Sequence, residues 1–113
     1  MSTTAMDAAA FTEMKELMGE AFLDIISLCL QDLPEQSMLL ETAISNNDAN
    51  QIFNIAHRLK SSCGTIGAYG LAKKAEAIEI IGREGSTQGA NEAFTELQLS
   101  LEEVLDILKK EIS

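Results

Sequence analysis

Apolar residues recur along this chain at spacings of three and four, the signature of helices packed by one face. The last segment is the cleanest: Phe94, Leu97, Leu101, Val104 and Leu108 predict a helix from about Ala90 to Ile112. Leu71, Ala75 and Ile78 predict another from about Tyr69 to Arg83, and the glycine-containing run Gly82–Gly89 between the two reads as the longest loop. Upstream, Asp48 followed by Gln51 resembles a capping box, so a central helix starts there and runs to about Ile66, where Gly67 stops it. On its wheel, Ile52, Ala56, Leu59, Cys63 and Ile66 fall within roughly 40° of one direction, which makes them the buried stripe.

The stretch from about Glu20 to Asn46 is more apolar than one face requires, with Phe22, Leu23, Ile25, Ile26, Leu28, Cys29, Leu30 and Leu33 in its first half. Pro34 leaves either a kinked long helix or two helices with Asp32 capping the second, and the kinked helix is the preferred reading. A short amphipathic helix from Asp7, carrying Phe11, Met14, Leu17 and Met18 and interrupted by Gly19, covers part of the surplus. Residues 1–6 are expected to be frayed. The predicted fold is all-α: an antiparallel four-helix bundle (about 20–46, 48–66, 69–83 and 90–112) with an additional short N-terminal helix. All 113 residues fit one domain.

Composition agrees. Hydrophobic residues make up 46% and aromatics 4%, a core of Leu, Ile, Ala and Met that suits helices better than sheets. A net charge of −10 argues against nucleic acid, whose phosphates are bound by Lys and Arg. No segment approaches a membrane span or a signal peptide, and Cys29 and Cys63 read as reduced apolar-face residues, so a cytoplasmic monomer is expected. The charge is uneven: Ala49–Ala75 holds no acid but four of the eight basic residues, Arg58, Lys60, Lys73 and Lys74.

Inside that stretch lies His57, the sole histidine. It sits about 140° from the buried stripe, with Lys60 at about 80°, Gly64 at about 120° and Ser61 at about 180°, so all four share the outward side. A neutral imidazole has one free lone pair and can attack phosphorus. Lys60 can supply charge to a phosphoryl group there, Ser61 a hydroxyl, and Gly64 a bare patch for an approaching surface. Other chemistries lack their parts. One His and two inward Cys do not converge as zinc ligands, no second histidine serves a nucleophile, and no glycine-rich loop carries a nucleotide-binding lysine.

The run His57-Arg58-Leu59-Lys60-Ser61-Ser62-Cys63-Gly64-Thr65-Ile66-Gly67 resembles the H-x-L-K-[GS]-[SA]-x-x-x-[IL]-G motif of histidine-containing phosphotransfer (HPt) domains of multistep two-component relays. Sensor-kinase dimerisation helices instead follow their histidine with an acid and then a proline; here Arg58 follows, and no proline comes after Pro34. The resemblance implies phosphorylation of His57, phosphate stabilisation by Lys60, and clearance at Gly64 for a docked receiver domain, with Ser61 and Arg58 beside it. It also implies docking on apolar residues of the first two helices, for which Met14, Met18, Phe22 and Ile26 are the candidates. The implied partners are receiver domains of a hybrid sensor kinase and of a response regulator, the receiver bringing Mg²⁺. The chain would then hold no metal or cofactor and have no ATP-dependent kinase activity. The alternative is a non-phosphorylated helical adaptor that binds a response regulator.

Overall fold

The computed structural model describes residues 5–112. Five α-helices follow one another: α1 (Ala8–Met18), α2 (Phe22–Ser45), α3 (Ala49–Thr65), α4 (Tyr69–Arg83) and α5 (Ala90–Ile112). The last four close a ring, each touching the next and α5 returning to α2, and this is the predicted bundle. Its interior is the row of residues that the spacing singles out. Ile52, Ala56, Leu59, Cys63 and Ile66 are fully buried, as are Leu71, Ala75, Ile78, Leu97, Val104 and Leu108.

Local chemistry sets the boundaries. The Asp48 carboxylate accepts the amide of Gln51 at 3.1 Å and caps α3. Gly67, with φ of +80°, turns the chain between α3 and α4 in a conformation that disfavours any side chain. Helix α2 runs unbroken through Pro34, so the single-helix alternative is the observed one. The absent proline N–H removes one backbone bond while the flanking turns remain.

One expectation is corrected. Ala5 and Met6 are buried rather than frayed, because Ala5 O accepts the amide of Leu71 at 3.2 Å and the Asp7 amide reaches Gly67 O at 2.9 Å. These bonds seat the chain entry on the α3–α4 corner; residues 1–4 lie outside the described residues. Gly82, where the predicted helix to Arg83 and the predicted loop overlap, belongs to α4, and it is buried. A Cβ there would stand 2.6 Å from Phe53 N and 2.8 Å from Ala49 O, both backbone atoms of α3. Only a residue without a side chain permits this approach of α4 to α3.

Gly82→Ala is therefore expected to force the two helices apart and lower stability by about 1–3 kcal/mol, the usual cost of overpacking. Urea denaturation checks this, and a variant as stable as the parent would show that the contact relaxes freely.

Candidate functional site

The close α3–α4 approach brings three side chains together on the open face of the bundle. His57 and Lys60 come from α3 and Glu79 from α4. The imidazole is 58% exposed and its Nδ1 lies 2.5 Å from Glu79 Oε2. The Lys60 ammonium donates to Glu79 Oε1 at 2.7 Å and has Glu76 Oε2 at 3.8 Å. Arg83, one turn beyond Glu79, brings Nη2 to 3.9 Å of Oε1. Phe53, one turn before His57, stacks on the imidazole.

Glu79 is the centre of this cluster, and its side chain is only 2% exposed. Burial alone would push its carboxyl up, but hydrogen bonds from Lys60 and His57, with the charges behind them, outweigh that and hold it below its ordinary value. The carboxylate is thus ionised at neutral pH and has no proton to give. The proton in the short contact therefore belongs to His57 Nδ1, and the lone pair of a neutral ring is left on Nε2.

The remaining candidates are placed as follows. Gly64 is open, since a Cβ there would meet nothing within 4 Å. Ser61 is exposed, and its hydroxyl donates to the His57 carbonyl at 3.2 Å rather than to the imidazole. Arg58 points outward, and its carbonyl accepts the Ser62 hydroxyl. Phe22 and Ile26 do not offer a docking surface, because both are core residues, whereas Met14, also largely buried, lines a groove between α1 and the α3–α4 corner. The reason is α1, which lies over the start of α2. Phe11 meets Phe22 edge-on at 5.6 Å between ring centres, and the Lys15 ammonium stands 5.5 Å above the Phe22 ring. Met18 is exposed, together with Leu17 and Tyr69, neither of which was among the docking candidates. Cys29 and Cys63 are both free thiols, and burial pushes Cys63 up to about 12. Among the described residues no cluster of His, Cys, Asp and Glu is arranged to hold a metal ion, and no helix is long and apolar enough to cross a membrane.

Sequence spacing alone did not reveal Glu79. The readable sign was an acid set directly after the core residue Ile78 and three before a buried glycine, a position where a carboxylate needs a cation.

The family model of the Hpt domain matches residues 24–107. The chain belongs to the Hpt domain family. Hpt domains are histidine phosphotransfer modules, and those of phosphorelays interact with receiver domains. In structure, this Hpt protein is similar to histidine-containing phosphotransfer protein B (HptB) from Pseudomonas aeruginosa PAO1. The match has a TM-score of 0.91 over 97% of this chain and 96% of that one, at 23% identity. Such coverage includes α1, which lies before the residues that the family model matches. Comparison with curated proteins returned no match.

The Glu79 carboxyl supplies a pH test. Its value in the folded protein is lowered from the ordinary 4.5, so its stabilisation is present above that value and lost as pH falls through the lowered one. Glu79→Gln is expected to cost about 1–3 kcal/mol at neutral pH. The gap to the parent should close as urea-unfolding curves are taken below pH 4.5. A gap of constant size down to the lowered value would mean that the charge of Glu79 contributes nothing.

Proposed function

We propose that His57 accepts a phosphoryl group from the aspartyl phosphate of one receiver domain and passes it to the aspartate of another. The observation that carries this reading is the division of the imidazole between its two nitrogens: Nδ1 is engaged by a buried carboxylate, while the exposed ring presents Nε2 to solvent. In the forward step the Nε2 lone pair forms the N–P bond as the P–O bond to the donor carboxylate breaks, and the electron pair of that bond leaves with the carboxylate. Nδ1 keeps its proton. The positive charge that develops on the ring is met by Glu79, as a carboxylate stabilises an imidazolium in a hydrolase triad. The reverse sequence loads the second receiver. Positioning and electrostatics govern transfers of this kind, and the receiver is to supply Mg²⁺ and the remaining groups.

Lys60 serves two masters in this scheme. Its ammonium neutralises Glu79 in the resting protein and stands one helical turn from the nitrogen that takes the phosphoryl group. Docking is assigned to the surface around Gly64, where a groove runs between α1 and the α3–α4 corner. Leu17, Met18 and Tyr69 are its exposed apolar residues. Met18 stays a proposed receiver contact, and Leu17 and Tyr69 take the place of Phe22 and Ile26.

Incubation with a phosphorylated receiver is expected to place acid-labile, alkali-stable label on the protein and none on His57→Gln. Incubation with ATP alone should place none on either. Label that persists in the variant would remove His57 as the carrier, and an unlabelled parent would favour the adaptor reading.

Gly64→Gln separates docking from folding. The position is open and helical, so the variant should melt no lower than the parent, glutamine being the better helix former. Transfer from the receiver should nevertheless slow about tenfold or more, because the new side chain occupies the space a partner must enter. Unchanged transfer kinetics would show that the partner does not approach over Gly64.

A further inference from the structure

Phe53 is a large apolar side chain that the bundle does not use. It is half-buried and stands outside the core cluster, on the same open face as His57. Its ring instead lies against the imidazole, with centroids 5.9 Å apart and planes inclined by only 16°. This follows from α3 itself. Residues four apart are neighbours on a helix, and side chains lean towards the N-terminus, so His57 leans over Phe53. Phe53 is in turn held from behind. Its backbone is pressed against Gly82 of α4, where a Cβ would stand 2.6 Å from Phe53 N and 3.0 Å from Phe53 Cα.

The contact with Glu79 fixes one atom of the imidazole and leaves the ring free to swing about that atom. A lone pair on Nε2 lies in the ring plane, so such a swing sweeps it off the line on which a phosphoryl group must approach. A parallel aromatic face opposes that motion, since a stacked pair resists tilting of either plane. We infer that Phe53 is a positioning residue for phosphoryl transfer: its ring sets the plane of the His57 imidazole, and Glu79 sets the direction within that plane. The inference rests on His57 as the acceptor. It assigns Phe53 no contact with the phosphoryl group.

The test compares the parent with Phe53→Leu, Phe53→Met and Phe53→Tyr. With a phosphorylated receiver as donor, the transfer rate at saturating receiver is expected to fall about tenfold in the Leu and Met variants and to be retained in the Tyr variant. The receiver concentration at half-saturation should not change. Since His57 is the sole histidine, its reaction with diethylpyrocarbonate reads the nucleophilicity of the ring directly, and it should not slow in any variant. A change confined to half-saturation would make Phe53 a docking contact. Carbethoxylation slowed in step with transfer would mean that Phe53 acts on the nitrogen's reactivity and not on its orientation. Equal saturating rates in all four proteins would leave the stack without a role. The parent alone supplies an independent check even if a variant fails to fold: the His57 ring protons should show the upfield ring-current shift of a stacked neighbour, and its absence would overturn the inference. Failure of the carrier reading has a different mark, an unlabelled His57 in the parent with the ring-current shift intact.

Discussion

A single carboxylate, almost wholly withdrawn from water, holds the functional face of this protein together. Glu79 can be buried in ionised form only because His57 and Lys60 donate to it and Arg83 stands near. Each of those groups is in turn oriented by it. The imidazole proton goes to Nδ1 because the ionised partner has none of its own, and the lone pair is thereby left on Nε2. The site is thus set by a charge balance between two helices and not by a pocket enclosing a ligand.

That balance depends on packing in a specific way. Helix α4 can lie against the backbone of α3 at Ala49 and Phe53 because Gly82 presents no side chain there. One turn away, the same approach brings Glu79 under His57. Stability and function meet at this seam: the backbone contact that draws the helices together also sets the distance over which the carboxylate holds the imidazole. A bundle with a wider α3–α4 spacing could keep every residue of the histidine motif and still lose the contact that places the imidazole proton on Nδ1.

Much of this is legible in the sequence. The wheel of α3 put Ile52, Ala56, Leu59, Cys63 and Ile66 inside and His57 outside, because helical periodicity records which side of a helix faces the core, and burial follows that division. The cap at Asp48 and the stop at Gly67 were equally plain, since each is a local requirement on one or two residues. What stayed hidden depends on a second element. Glu79 lies twenty-two residues from its imidazole partner, and no local pattern in α4 states what lies across the interface. Phe22 and Ile26 looked like spare apolar surface because the periodicity of α2 says nothing about α1 lying over them. The buried Ala5 and Met6 were missed for a related reason: the segment is seated by backbone atoms, Ala5 O on Leu71 and the Asp7 amide on Gly67, which no side-chain pattern records.

The seating of α1 on main-chain atoms has a further consequence. Amide and carbonyl groups are the same at every residue, so the anchor at Gly67 and Leu71 is indifferent to side chains, and only the buried Ala5, Met6, Phe11 and Met14 restrict which amino acids the N-terminal segment carries. The outward positions of α1 that do not line the groove, Thr12 and Glu16, can then be rewritten while the helix keeps its berth, leaving one edge of the molecule free to diversify without disturbing the bundle beneath it.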